Sequence, residues 1–396
     1  MESKNIRLNQ RGGEQPSVSS VAADIISAAS HDRPADTVLR EMFVRRRDWS
    51  AQFRAEVSAA VFDYYRWFGW VKDESTVESG LRRAWKLAAS FKENPNTIPV
   101  EALRANAVPA WTEGEIELRD SWLRSLQGGT KLWLRAKKGQ GRALAKKLEA
   151  AKAATLGLLP DAVLFHGEED LFQSPEFHAG EFEIQDAASQ MVGMLCDPQP
   201  GETWWDTCAG EGGKTLHLSD LMENRGLIWA SDRAEWRLAK LKRRAARAKM
   251  FNYRSVVWDG AAKLPTKTKF DGVLLDAPCS GVGTWQRNPH ARWTTTLKDV
   301  RELAEIQKRL LAHVSVAVKP GGKLIYAVCT LTRSETEEVV ASFNDGQTEF
   351  EALALETASS GESAGRPKAE TAVKRIWPED LGGNGMFVAA WRRRVA

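Results

Sequence analysis

The sequence predicts an α/β protein built on an open, doubly wound parallel sheet, preceded by a helical region and a small basic α+β region. Three observations predict it. After Gln185, short apolar runs alternate with helical stretches, the pattern of parallel strands joined by crossover helices. Each run ends in a polar or glycine-rich turn. In the first 125 or so residues, by contrast, apolar side chains recur every three or four positions, which is helical spacing.

In chain order, residues 1 to about 20 are polar, with Gly12-Gly13 and Ser17, Ser19 and Ser20, and are expected to form a flexible tail running as far as residue 29. Phe53, Val57, Val61, Tyr64 and Phe68 then repeat at helical spacing, followed by a similar pattern around Leu81 to Leu87, so a helical domain is expected over 30–127. Pro95, Pro99 and Pro109 break this region. A short strand, Leu132-Trp133-Leu134, leads into a Lys- and Arg-rich helix expected to end near Ala154, within a small basic domain over 128–181. The sheet domain is expected over 182–396. Its runs are Thr203 to Thr207, Gly226 to Ala230, Ser255 to Trp258, Phe270 to Leu275 and Lys323 to Val328. Thr357 to Ala372, rich in Gly, Ser and Ala, reads as a surface loop before a last strand, Met386 to Trp391.

Composition narrows the class. At 396 residues the chain can bury one sizeable α/β core with one or two smaller units. Its four cysteines, Cys196, Cys208, Cys279 and Cys329, are too few and too scattered for a disulfide framework, which points to reduced thiols in the cytoplasm. No stretch approaches the roughly 20 apolar residues that span a membrane, and the six histidines form no ligand-spaced cluster, so neither membrane insertion nor a metal site is expected. The net charge of +4 is modest, but it is clustered at Arg45-Arg46-Arg47, Lys131 to Lys147, Arg233 to Lys249 and Arg392-Arg393-Arg394. The Arg233 to Lys249 segment reads as the solvated face of a helix.

In open parallel sheets, ligands sit at the carboxyl ends of the strands. The first run ends in Asp206-Thr207-Cys208-Ala209-Gly210-Glu211-Gly212-Gly213-Lys214-Thr215, where small residues let backbone N–H groups approach a ligand. Gly213-Lys214-Thr215 resembles the end of a phosphate-binding loop, but Cys208 stands where that motif needs its first glycine. The dinucleotide fingerprint fails as well, with Thr215 in place of its third glycine. Asp232, ending the second run, fits a carboxylate that binds both hydroxyls of a ribose, although a helix N-cap would explain it alone. Asp259, ending the third, could receive an adenine amino group or simply make a turn.

The fourth run delivers Asp276-Ala277-Pro278-Cys279-Ser280-Gly281-Val282-Gly283-Thr284, and the fifth, after the turn Pro320-Gly321-Gly322, delivers Cys329-Thr330. If these strands are neighbours, their ends lie about 5 Å apart. Two thiols and a carboxylate then share one pocket. Carbon-5 of a pyrimidine is a poor nucleophile, and a thiolate added at carbon-6 turns the ring into an enamine able to take a methyl group. Such chemistry also needs a partner at ring nitrogen 3 and a base for the carbon-5 proton. The residues alone leave the order of the two thiols open.

These motifs resemble the Sun/RsmB (NOL/NOP/Sun) family of RNA cytosine-5 methyltransferases from about Phe182 onward. The run Asp276 to Thr284 carries the resemblance, continued by Arg287-Asn288-Pro289 and Arg292-Trp293. Gln185-Asp186 with Ala188-Ser189-Gln190 is similar to the family's lead-in helix, and Cys208 to Lys214 to its cofactor loop. The resemblance implies a class I, Rossmann-like methyltransferase domain that binds S-adenosylmethionine through Cys208, Ala209, Gly210, Glu211, Gly212, Gly213 and Lys214. It further implies ribose contact at Asp232, adenine-side contact at Asp259, and Asp276 facing both cofactor and cytosine. Cys329 would be the nucleophile, and Cys279 would help release the methylated RNA. DNA cytosine-5 methyltransferases use instead the cysteine of the Pro-Cys turn, here Cys279. Two positions depart from the family pattern. Where it commonly reads Cys-Ala-Ala-Pro-Gly-Gly-Lys this chain has Gly210-Glu211, and the usual Thr before the nucleophile is Val328.

The helical region resembles a NusB-like RNA-binding domain in pattern around Arg54 to Tyr65, and the Lys131 to Lys147 segment resembles the family's small RNA-binding insert. The expected partner is therefore RNA, ribosomal or transfer, handled by a cytoplasmic monomer. Arg287 and Arg292 are candidate phosphate or base contacts. A DNA methyltransferase acting through Cys279, a phosphate-binding NTPase and a non-catalytic RNA-binding assembly factor are the competing readings.

Overall fold

Apolar alternation along the strands decides which helices cover which face of the main sheet. In the computed structural model, which describes residues 16–148, 151–153, 159–355 and 372–395, Trp204, Leu274 and Ile325 point to one face and Trp205, Val273, Leu275 and Tyr326 to the other. The chain divides into two compact units, residues 1–97 and 98–396.

Among its described residues the first unit carries helices and no strand: α1 (Val18–Ala28), α2 (Ala35–Arg45), α3 (Ala51–Arg66), α4 (Phe68–Val71) and α5 (Val77–Glu93). Hydroxyl caps start three of them. Ser17 accepts from the Ser20 N–H, Ser50 from the Phe53 N–H, and Thr76 forms a capping box with Ser79. Phe53, Val57, Val61 and Tyr64 are buried as their spacing predicts, and Trp67 is more deeply buried than Phe68. The tail expected as far as residue 29 is corrected over α1, whose Val21, Ala22, Ala23, Ile25 and Ile26 are buried against the helices of this unit. Residues 1–15 lie outside the described residues.

The second unit opens with α6 (Val100–Asn106) and α7 (Asp120–Ser125), so these helices group with the sheet domain although their sequence was assigned to the helical region. A small antiparallel sheet follows. Its strands are β1 (Leu132–Ala136), β2 (Ala151–Ala153), β3 (Ala162–Phe165) and β4 (Phe182–Ile184), in the order β2-β3-β1-β4, with α8 (Gly141–Lys147) and α9 (Pro175–His178) alongside. The basic helix expected to reach Ala154 ends at Lys147, because the backbone at Leu148 turns extended and 151–153 pairs with β3.

The main sheet comprises β5 (Thr203–Asp206), β6 (Leu227–Asp232), β7 (Tyr253–Val257), β8 (Phe270–Asp276), β9 (Val318–Val328), β10 (Phe350–Ala352), β11 (Val373–Ile376) and β12 (Met386–Arg393). The path is β10-β12-β9-β8-β5-β6-β7, with β11 also on β12. β9, β8, β5, β6 and β7 run parallel, and β12 is antiparallel to β9. The order reverses between β5 and β8, the position where such sheets open a ligand crevice. Helices α10 (Ala187–Cys196), α11 (Gly213–Leu221) and α12 (Glu235–Arg247) pack on one face. On the other lie α14 (Leu297–Ser315), which follows the short α13 (Pro289–Thr294), and α15 (Glu337–Gly346); α16 (Pro378–Leu381) precedes β12. Pro320-Gly321-Gly322, expected as a turn before the strand, lies inside β9 at a register shift opposite Phe270 to Gly272, with Gly321 at φ +80°. The expected Thr357 to Ala372 loop falls almost wholly outside the described residues. None of the helices among the described residues is long and apolar enough to cross a membrane.

Candidate active site

The carboxyl ends of β5, β6, β8 and β9 surround a cavity of about 590 Å³, within the usual range for a small-molecule site. Cys208, Ala209, Gly210, Glu211, Gly213, Lys214, Asp232, Asp259, Asp276, Cys279 and Cys329 all line it; of the residues expected to hold the cofactor or carry the chemistry, Gly212 does not. Gly212 instead shapes the loop. At φ +87° a side chain there is strained, and its Cβ would lie 2.6 Å from Leu241 Cγ.

The cofactor-type loop is fixed from both sides. The Ala209 N–H donates to the Ser231 carbonyl at 2.8 Å, and the Gly210 N–H donates to Asp232 Oδ2 at 3.0 Å. Asp232 also accepts from the Ala234 N–H at 2.8 Å, a turn just ahead of α12 whose N-cap is Ala234, so the turn and the loop contact are properties of one carboxylate. Asp259 accepts from the Ala261 N–H at 3.0 Å, the turn geometry that its following glycine permits. Lys214 Nζ lies 2.7 Å from Asp276 Oδ2. Burial opposes the Lys214 charge, but the Asp276 carboxylate outweighs this and holds its pKa above the usual lysine value. Thr215 is fully buried and donates to Asp206 Oδ2 at 2.6 Å. Lys214 and Thr215 thus face the sheet's own carboxylates, which removes the geometry that a phosphate-binding loop needs.

β8 and β9 are neighbours, with Asp276 opposite Ala327, so Cys279 and Cys329 leave adjacent strand ends. Their sulfurs are 3.3 Å apart. The pair is electrostatically unequal. The hydrogen bond with Cys279 lowers the Cys329 pKa, opposed by burial, Asp276 and Glu335 and helped by Lys214, whereas the same bond together with burial raises Cys279 well above a usual thiol. Cys208, by contrast, is pushed up to about 12 by burial and by Asp206 and Asp276, and stays a protonated lining group.

Sequence reasoning missed the group that joins the two cysteine turns. Glu335 is fully buried. Its Oε1 accepts from the Ser280 N–H at 2.8 Å and from Gln307 Nε2 at 2.9 Å. Its Oε2 accepts from the hydroxyls of Thr330 at 3.0 Å, Thr332 at 2.8 Å and Ser280. One carboxylate therefore binds the turn after β8 to the turn after β9. The only advance signal was a Glu six residues beyond Cys329, indistinguishable in sequence from the exposed acids that follow it. The backbone adds a second tie, since the Gly283 N–H donates to the Cys329 carbonyl at 3.0 Å and the Gly385 N–H to the Gly283 carbonyl at 2.7 Å.

Two expected contacts are separated. Arg287 is exposed, whereas Arg292 is fully buried and donates to the carbonyls of Ala107 and Leu126, both at 2.9 Å. Arg292 is a structural cation, because a buried guanidinium must satisfy its donors and these carbonyls do so. Val328, a departure from the family pattern, is fully buried in the core between sheet and α14.

The residues fit S-adenosylmethionine. A glycine loop presents backbone to the cavity, Gly210 and Gly213 have open space where a Cβ would stand, and carboxylates are set at the ends of β6 and β8.

A family model described as 16S rRNA methyltransferase RsmB/F matches residues 193–392. The ribosomal RNA small subunit methyltransferase B of Xylella fastidiosa is 31% identical over 357 residues, covering 85% of this chain and 77% of that protein. The mouse tRNA (cytosine(72)-C(5))-methyltransferase NSUN6 is 37% identical over 190 residues, 44% of this chain and 39% of its own. A solved methyltransferase homolog from Pyrococcus horikoshii superposes with a TM-score of 0.59 at 28% identity, over 69% of this chain and 90% of that one. Against other bacterial relatives named methyltransferase B the chain spans about half their length, 49%. With the family model matched over residues 193–392 and the Xylella relative covered over 77% of its length, the chain belongs to the Sun/RsmB family of RNA methyltransferases.

Proposed function

We propose that the protein methylates carbon-5 of a cytosine in RNA, ribosomal RNA first, through a covalent adduct on Cys329. The observation that carries this reading is the 3.3 Å approach of two thiols at the wall of the cavity. Cys208 to Lys214, Asp232, Asp259 and Asp276 would hold S-adenosylmethionine. Bound there, that cofactor supplies an electrophilic methyl group.

The chain's own residues do the rest. The Cys329 thiolate adds to carbon-6 of the cytosine, the charge that this puts on the ring is taken up by a proton from solvent at nitrogen 3, and the resulting N–H donates to Asp276. After carbon-5 has been methylated, Cys279 assists removal of the carbon-5 proton, and the Cys329–carbon-6 bond breaks to release the RNA. The cytosine must be unpaired or extruded to enter. The helical unit and the small basic sheet would hold flanking RNA by its phosphates in the cytoplasm.

The test is adduct trapping on RNA containing 5-azacytosine, with mapping of the attached cysteine. Attachment at Cys329 is expected. Cys329→Ala should abolish methylation, and Cys279→Ala should leave stalled protein–RNA adducts. Residual turnover in the first variant overturns the nucleophile assignment, and attachment at Cys279 favours the order used by DNA methyltransferases.

A further inference from the structure

Helix α12 lies in the basic segment read as a solvated face; Lys242 and Arg243 are exposed, but Lys240, Arg244 and Arg247 are engaged by carboxylates. Leu238, Leu241 and Ala245 face the core, while Lys240, Arg244 and Arg247 recur at spacings of four and three along another face. Lys240 Nζ lies 2.6 Å from Glu211 Oε1. Arg244 Nη1 donates to the Glu211 carbonyl at 3.0 Å. The other edge of the Arg244 guanidinium donates to Glu183 Oε2, at 2.8 Å through Nη2 and 3.2 Å through Nε. Arg247 pairs with the second oxygen of Glu183 and stacks over the Phe177 ring, 3.6 Å from its centroid.

Glu211 is the residue at which this chain departs from the proline usual in the loop. Proline fixes its own φ; a glutamate preceded by Gly210 at φ +56° has no such restraint. We propose that Lys240 and Arg244 are positioning residues that replace this covalent restraint, clamping the Gly210-Glu211-Gly212 loop by side chain and by backbone. Through Glu183 on β4, the clamp extends to the small sheet. Glu183 is buried and does not line the cofactor cavity, so its effect on the loop passes through Arg244. Glu211 borders both that cavity and the groove formed by α12, Phe172 and Phe177. The loop's conformation is thereby tied to the placement of a neighbouring domain.

The inference rests on the cofactor reading above, and its test separates the two. Hydrogen exchange of the Gly210–Gly213 amides in the full chain, without cofactor, reads the clamp directly. Titration calorimetry with S-adenosylmethionine reads its consequence. Lys240→Glu and Glu211→Lys should each speed exchange and raise the dissociation constant about 2- to 5-fold, the effect of losing a half-exposed ion pair. The double variant should restore both, which a merely structural role for either residue would not produce. Arg244→Ala should raise the dissociation constant about 10-fold, because it loses charge-assisted bonds at a partly buried site, with Arg244→Lys intermediate. Glu183→Gln should act in the same direction and more weakly. Unchanged exchange in both Lys240→Glu and Arg244→Ala overturns the clamp whether or not the cofactor binds. A wild-type chain that fails to bind S-adenosylmethionine overturns the cofactor reading while leaving the exchange result to decide the clamp.

Discussion

Replacing Glu335 by alanine should unfasten the two cysteine turns from each other. Five donors converge on this carboxylate, and they differ in what they can do once it is gone. The hydroxyls of Ser280, Thr330 and Thr332 can turn toward one another, being already 3.0 and 3.3 Å apart. The Ser280 N–H has no such freedom, and the Gln307 amide loses one of its two bonds while keeping the 2.9 Å one to the Pro278 carbonyl; each orphaned buried N–H costs about 1–3 kcal/mol. Glu335→Ala should therefore lose about 3–5 kcal/mol, a fall in melting temperature on the order of 10 °C. Glu335→Gln retains one carbonyl oxygen for both fixed donors and should lose only about 1–2 kcal/mol, from the missing charge assistance. Calorimetric melting measures both, and the reaction of Cys279 and Cys329 with a disulfide reagent reports whether the turns have separated. Two variants that melt alike, or an alanine variant within 1 kcal/mol of wild type, would refute the reasoning.

Three further outcomes follow from individual groups. Asp206 is fully buried, and burial raises its pKa to about 7, partly offset by the Thr215 hydroxyl. A carboxyl raised above its unfolded value binds more protons when folded, so its contribution to stability is complete below about pH 4 and is lost as the pH rises toward 7. Against wild type, Asp206→Asn should show a flatter loss of stability over that window, by up to about 4 kcal/mol, in denaturant titrations at pH 4, 5.5 and 7; parallel pH curves would contradict the assignment. Because Cys279 lowers the Cys329 pKa, Cys279→Ala should move the pH midpoint of Cys329 alkylation upward, and an unmoved midpoint would show that the hydrogen bond does not set it. Gly283→Ala places a Cβ 2.0 Å from the Gly385 carbonyl oxygen and should abolish adduct formation at Cys329 while cofactor binding persists.

The parallel core was legible because its strands carry apolar runs that end in recognisable turns. Thr203, Phe270 and Met386 begin strands where the runs begin, and the two cysteine turns proved adjacent because β8 and β9 pair. What escaped depended on partners distant in sequence. Glu335 is defined by donors from three segments, the Ser280 turn, α14 and the turn beyond Cys329, and no local pattern announces such convergence. Arg292 looked like a phosphate contact because its charge is visible in sequence, whereas the carbonyls of Ala107 and Leu126 that enclose it are not. α12 does expose Lys242 and Arg243 to solvent, but the pairing of Arg244 escaped for the same reason, since Glu183 lies 61 residues before it. At the start of the chain, the serines that suggested a tail include the residue that caps α1.

Strand β12 gives the site a history as well as a shape. It is the last described strand to be synthesised, yet its Phe387 lies opposite Val328, and just before it the Asn384 N–H reaches back to the Asp186 carboxylate. At about 5–20 residues per second, Asp186 waits on the order of 10 to 40 seconds for that donor, and the Cys329 turn waits several seconds for Gly385. A nascent chain can close its glycine loop early but cannot finish the wall behind its thiols. Until that late segment arrives, both sulfurs face a half-built pocket.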